Sequence, residues 1–82
     1  RSANMACLAE AEAYVGKSVA DTADNRAPSV FSGRACASGA TMALADFTNS
    51  SLLTYVPQLR GPLASQKNIQ CNAGTGNCVL LP

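Results

Sequence analysis

The sequence contains no histidine and no tryptophan, and its aromatic residues are limited to two tyrosines and two phenylalanines. Without histidine, the common Ser-His-Asp and Cys-His catalytic arrangements are excluded. The acidic residues show no catalytic motif spacing, and no nucleophile motif supports a Ser–Lys pair. The sequence therefore does not predict an enzyme, and it implies no cofactor.

Charge of either sign is also scarce. Six basic and five acidic residues give a net charge of +1. The basic residues are scattered, so no basic run with interleaved aromatics indicates nucleic-acid binding. No apolar run approaches the roughly 20 residues that a membrane-spanning helix requires. These absences favour a soluble structural or binding module, with DNA as a disfavoured partner.

Cysteine is the residue type that is present in unusual number. The chain has four cysteines in 82 residues, separated by 28, 34 and 6 intervening residues. A zinc site is disfavoured because there is no C-x2-C pair and no histidine. Two disulfides and an oxidising compartment are predicted instead, with three pairings possible in principle. Such bridges are common in domains too small for a large core.

The stretch from Ser2 to Ala20 is rich in strong helix formers and predicts an amphipathic helix of about five turns. Cys7 flanks its apolar stripe, and Glu12 lies near the edge of that stripe. Glu10 and Lys17 are expected to face water. At about 100° per residue, the stripe itself consists of five residues: Met5, Leu8, Ala11, Val15 and Val19.

The middle of the chain is rich in turn residues. Asp21–Gly33 is predicted to be a surface loop, with Val30 and Phe31 as apolar anchors that dock onto the helix. Thr41–Phe47 is ambiguous between a short helical turn and the beginning of a strand. The triplet that begins at Asn49 fits the N-glycosylation sequon.

The C-terminal third predicts strands. Leu52–Val56 contains β-branched and aromatic residues and stops at Pro57. Lys67–Leu81 reads as two short strands around a turn over Asn72–Asn77. That turn contains two glycines and two asparagines, which suit positive φ angles.

The register of the last two strands follows if Cys71 is placed opposite Cys78. Ile69 then pairs with Leu80 on the same face as the cysteines. One register therefore bridges two cysteines and also pairs two apolar side chains on the core face. The sequence predicts these disulfides: Cys71–Cys78 and, by elimination, Cys7–Cys36.

Three segments resemble the type IV pilins, and in particular their short, two-disulfide group. They are the opening RSANMACLAEAEAYV, the CASGA segment at Cys36, and the C-terminal NIQCNAGTGNCVLLP. Together they cover about half of the chain, including both ends. They are similar to the middle of the pilin spine helix, to the second cysteine of this group, and to the disulfide-closed C-terminal region.

The resemblance implies an α+β fold, in which a long N-terminal helix packs on an antiparallel sheet of three to four strands. A single domain over 1–82 would comprise a spine helix (1–20), an αβ-loop region (21–51), and the sheet with its disulfide-closed end (52–82). Because the helix starts almost at Arg1, we expect a chain cut inside a longer helix, by processing or by engineering. The apolar N-terminal half-helix would then be missing.

The resemblance also implies a function. Pilins polymerise with other copies and with minor pilins into extracellular fibres that serve adhesion, twitching motility or DNA uptake. Each subunit is anchored in the inner membrane before assembly. No catalysis, cofactor or metal is implied. On this hypothesis, Glu12 would pair with a basic group of a neighbouring subunit, whereas the alternative is an ordinary helix charge facing water.

Other classes remain as alternatives. A secretion-system pseudopilin or a DNA-binding minor pilin would share the fold. A small secreted disulfide-rich inhibitor or toxin would instead present an exposed rigid loop. Two edges, Asp21–Cys36 and Cys71–Cys78, are hypotheses for recognition of a partner or surface, because in pilin-like subunits these edges face outward or meet neighbours.

Overall fold

A computed structural model describes residues 3–59 and 66–82 of the chain. In this part of the chain, a long helix packs on an antiparallel sheet of four strands in the order β1-β2-β3-β4. The coarse α+β prediction is therefore confirmed. The elements are α1 (Ala3–Ala23), β1 (Cys36–Gly39), α2 (Leu44–Asn49), β2 (Leu52–Pro57), β3 (Ile69–Asn72) and β4 (Cys78–Leu80).

Helix α1 continues three residues beyond its predicted end at Ala20. It ends at Ala23, and Asn25 follows with a φ of 60°. Asparagine tolerates this left-handed conformation and often terminates helices. The N–H of Arg26 then donates to the carbonyl of Asp21 at 2.8 Å. The first residues of the predicted loop thus form the last helical turn, because no breaker occurs before Asn25.

The buried face of α1 is not centred on the predicted stripe. Met5 is 41 % exposed, although it was expected inside. Leu8 and Val19 are only partly buried, so they flank the core. Because alanine is frequent in α1, the hydrophobic periodicity only weakly indicates which face is buried. In the structure, the face that packs on the sheet begins at Cys7. The buried residues of α1 are Cys7, Ala11, Val15, Ser18 and Thr22.

Strands β2 and β3 supply the opposite side of the core. Leu53 and Tyr55 of β2 are buried, as are Ile69 and Cys71 of β3, with the alternation expected of strands that are covered on one face. β2 includes Pro57, one residue beyond its predicted end. The core therefore lies between α1 and one face of the sheet.

The first strand was not predicted. Its residues, Cys36–Gly39, are small and have little strand propensity. It nevertheless pairs with β2, with an irregularity in the register between Cys36 and Ser38. The disulfide to Cys7 and the hydrogen bond from the N–H of Cys36 to Glu10 fix this segment where local propensity does not.

The C-terminal hairpin has the predicted register. Cys71 faces Cys78, and Ile69 faces Leu80. In the turn, the side-chain oxygen of Asn72 accepts hydrogen bonds from the backbone N–H groups of Gly74 (2.8 Å) and Thr75 (3.2 Å). Gly76 has a φ of 82°, so one residue of the turn does require the left-handed region.

Helix α2 resolves the ambiguity over Thr41–Phe47. It begins at Leu44, and the Asp46 carboxylate accepts a hydrogen bond from the N–H of Ala43 at 2.9 Å. It is followed by Ser50 in the left-handed conformation, with φ 50°. Asn49 of the sequon is exposed at the end of α2, and its glycosylation stays a prediction.

Candidate assembly surface

Three anchors hold α1 against the loop that follows it. The first is the disulfide between Cys7 and Cys36, whose Cα atoms are 4.8 Å apart. Both residues are almost fully buried, at 0 % and 3 % exposure. The second disulfide joins Cys71 to Cys78, so the pairing is the one expected from the sequence.

The second anchor is the carboxylate of Glu10, which the sequence placed in water. Its oxygens accept backbone N–H hydrogen bonds from Arg34 (3.0 Å to each oxygen), Ala35 (3.3 Å) and Cys36 (3.0 Å). The loop approaches so closely that a Cβ at Gly33 would lie 2.7 Å from Oε1 of Glu10. Only glycine fits at that position without a rearrangement.

This environment favours the ionised form of Glu10. Burial alone would raise its pKa. The three backbone N–H donors and the nearby charge of Arg34 outweigh burial, so the pKa lies below its usual value of 4.5. Glu10 is the residue that sequence reasoning missed. The sequence indicates this role only indirectly, because Gly33 is a residue type that allows another group to approach the backbone closely.

The third anchor is Tyr14. Its hydroxyl donates to the carbonyl of Ser29 at 2.7 Å and accepts from the N–H of Met42 at 3.0 Å. Its ring meets Phe31 edge-on, with centroids 5.0 Å apart. Tyr14 thus ties the middle of α1 to the loop before β1, through Ser29, and to the segment after β1, through Met42. Phe31 docks as predicted.

Val30 does not dock, which corrects the prediction for this residue. It is 76 % exposed. Its two neighbours are nevertheless fixed, because Ser29 accepts from Tyr14 and the N–H of Phe31 donates to Thr41 at 3.1 Å. The loop therefore holds an apolar side chain in water between two anchored peptide groups.

The outer face of α1 lies opposite these anchors. Glu12 belongs to this exposed face rather than to the edge of the buried stripe. A Cβ added at Gly16 would meet no atom within 4 Å, although the Cα of Gly16 lies near the hairpin turn, 3.8 Å from the place of a Cβ at Gly76. Most side chains on the face are small. We define the outer face by seven exposed residues: Met5, Ala9, Glu12, Ala13, Gly16, Lys17 and Ala20.

The free face of the sheet is uncharged. None of the residues in β1 to β4, the strands of the described chain, carries a charge. Leu52 is 60 % exposed and Val79 is 55 % exposed on this side. At the hairpin edge, Cys71 is fully buried whereas Cys78 is partly exposed.

Within residues 3–59 and 66–82, no group of three or more acidic or cysteine side chains is arranged to hold a metal ion. No helix in these ranges is both long enough and apolar enough to cross a membrane. Arg26, one of the basic side chains, forms ion pairs with Asp21 (3.6 Å) and Asp24 (3.4 Å).

Comparisons with known proteins do not identify this chain. No protein-family model matches it, and neither the curated proteins nor the solved structures gave a match.

Proposed function

We propose that this chain is a structural subunit of a bacterial type IV pilus, which assembles with other copies and minor pilins into a surface fibre. Two features support the proposal besides the sequence resemblance. The helix-on-sheet arrangement provides a rigid subunit, and two disulfides suit an oxidising exterior. The fibre would serve adhesion or twitching motility, with an inner-membrane anchor before assembly.

The observation that carries the proposal is the one-sided attachment of α1. One face is fixed by a disulfide, by the Glu10 carboxylate and by the Tyr14 hydroxyl. The outer face remains uncovered over most of the 21 residues of the helix. Its small side chains would let an element of another subunit approach closely, since interhelical distance depends on the side chains at the contact.

Two charged side chains on the outer face would orient the neighbouring subunit in such a contact. Glu12 and Lys17 are both exposed and opposite in sign. Complementary charges across an interface fix register and suppress wrong partners more than they add affinity. Glu12 in this proposal therefore orients the neighbouring subunit rather than holding it.

Substitutions of increasing size at Gly16 test the outer face. In the full-length gene product, expressed where the wild type forms pili, Gly16→Leu is expected to reduce fibre yield strongly. Gly16→Ala is the matched control, since it adds only one methyl group. In the purified chain, Gly16→Ala should raise the free energy of unfolding by up to about 1 kcal/mol, because alanine is the better helix former.

Fibres are counted by electron microscopy, and folding is checked by thermal unfolding of the purified variants. Because a Cβ at this position meets no atom within 4 Å, we expect both variants to fold, and the unfolding midpoint checks this for leucine. Normal fibres from a folded Gly16→Leu variant would show that the outer face is not an assembly surface. DNA retardation by the purified chain that weakens steeply with salt would favour the DNA-binding minor pilin instead.

Val30 supports a second candidate function, that of a secreted protease inhibitor. A fixed backbone on either side of an exposed apolar side chain lowers the entropy lost on binding. A protease with a small apolar specificity pocket, of the elastase type, would be the matching target. Inhibition that is lost in Val30→Asp but retained in Val79→Asp would establish this function in place of the pilin.

A further inference from the structure

The backbone N–H groups of three consecutive residues converge on one carboxylate. Arg34, Ala35 and Cys36 all donate to Glu10, at 3.0 to 3.3 Å. Successive N–H groups form concavities that bind anions. In this chain the anion is supplied from within, by a side chain of the facing helix.

The last of these N–H groups belongs to a disulfide-bonded residue. Cys36 is bonded to Cys7, which lies three residues before Glu10 and on the same side of α1. Both sulfur-bearing residues are at most 3 % exposed. An external thiol can therefore reach this disulfide only after the chain around it opens. The segment 33–36 ends at Cys36 itself, and its N–H groups are held against α1 by Glu10.

We propose that the Glu10 carboxylate is a latch that closes the segment 33–36 over the Cys7–Cys36 disulfide and shields it from external thiols. The latch is an ion bound by backbone N–H groups, so it opens when the ion is removed. The Cys71–Cys78 disulfide is less shielded, because Cys78 is partly exposed. This inference does not depend on the proposed function.

The charged surroundings of Glu10 keep the latch ionised. On the loop side, Arg34 is the charged residue, and its guanidinium favours the carboxylate form. The strands of the described chain contribute no charged residue. On α1 itself, Tyr14 lies one turn and Lys17 about two turns beyond Glu10, whereas Glu12 is exposed on the outer face. Acid is therefore expected to open the latch by protonating Glu10.

The rate at which dithiothreitol reduces the Cys7–Cys36 disulfide measures how well the latch shields it. A thiolate of the reagent attacks one sulfur of the disulfide and forms a mixed disulfide, releasing the other cysteine as a thiolate that takes up a proton. The second thiol of the reagent then attacks this intermediate. Both cysteines end as thiols, and the reagent is oxidised to its cyclic disulfide. Quenching by alkylation, followed by peptide mass spectrometry, gives the rate for each bridge.

Three forms of the oxidised chain are compared: the wild type, Glu10→Ala and Glu12→Ala. We expect Glu10→Ala to speed the reduction of Cys7–Cys36 about tenfold or more. The rate at Cys71–Cys78 should stay the same and serves as the internal reference. Glu12→Ala is the matched control, because it removes a carboxylate two residues away on the outer face. Equal rates at Cys7–Cys36 in all three forms would overturn the proposal.

Chemical rescue separates a latch from general destabilisation. Acetate added to Glu10→Ala should occupy the vacated N–H groups and slow the reduction of Cys7–Cys36. Sodium chloride at the same ionic strength should not. If both bridges are reduced faster to the same extent, or if chloride protects as well as acetate, the proposal is wrong.

A second variant keeps the proposal testable if Glu10→Ala does not fold. Glu10→Gln preserves the size of the side chain but removes its charge. We expect faster hydrogen exchange at the amides of Arg34, Ala35 and Cys36 in this variant, while amides of β3 exchange as in the wild type. Unchanged exchange at all three amides would contradict the latch.

Discussion

At the scale of single residues, two carboxylates that are two positions apart behave differently. Glu10 is bound by three backbone N–H groups of the loop, whereas Glu12 is exposed on the outer face of α1. The sequence predicted Glu10 in water and Glu12 near the edge of the apolar stripe. Helical geometry points the two side chains in different directions. Which of them binds backbone N–H groups within the subunit depends on the path of the loop.

The pH dependence of stability should depend on Glu10. Its pKa in the folded chain lies below the usual value of 4.5, so the ionised form is stabilised by folding. This stabilisation is present above that usual value and is lost as the pH falls through the lowered folded pKa. Urea unfolding of the wild type and of Glu10→Gln should therefore show a stability gap near neutrality that narrows in acid. A gap that widens on acidification would contradict this assignment.

Glu12 should matter for assembly and not for folding. Glu12→Lys reverses one of the two charges on the outer face, and we expect fewer fibres from cells that carry it. The thermal unfolding midpoint of the purified variant should stay close to that of the wild type, because exposed charges contribute little to stability. Normal fibres from Glu12→Lys would leave Glu12 as an ordinary surface residue.

At the scale of elements, the C-terminal hairpin was predictable because three local signals agree there. Alternation places Ile69 and Cys71 on one face, the cysteines fix the register, and the turn contains a glycine that adopts positive φ. Strand β1 and the buried face of α1 were not predictable in this way. Alanine, glycine and serine carry weak periodic signals, so tertiary contacts at Cys7 and Cys36 decide both.

The two disulfides should contribute unequally to stability. In the chain-entropy model, closing the longer loop between Cys7 and Cys36 is worth about 3.5 kcal/mol, and closing the hairpin is worth about 2.5 kcal/mol. Replacing Cys7 and Cys36 by alanine should therefore cost about 1 kcal/mol more than replacing Cys71 and Cys78. Guanidinium unfolding of both double variants measures the difference. A larger loss for the hairpin variant would contradict it.

At the scale of the whole molecule, the subunit has an attached side and an open side. The disulfide, Glu10 and Tyr14 attach the part of α1 between residues 7 and 14 to the segment that follows the helix. The inner face continues with the buried residues Val15, Ser18 and Thr22. The outer face of α1 and the uncharged face of the sheet remain available for contacts. The proposal assigns the first of these surfaces to fibre assembly. The helix-on-sheet fold followed from sequence and resemblance, whereas this division into two sides required the contacts of Glu10 and Tyr14.

The central claim is that this chain builds a surface fibre. It is tested most directly by shearing filaments from the producing cells, labelling them with an antibody raised against the purified chain, and identifying their protein by mass spectrometry. We expect regular antibody labelling along the filaments and peptides of this chain among their components. Unlabelled filaments, with the chain recovered only as free protein in the medium, would contradict it.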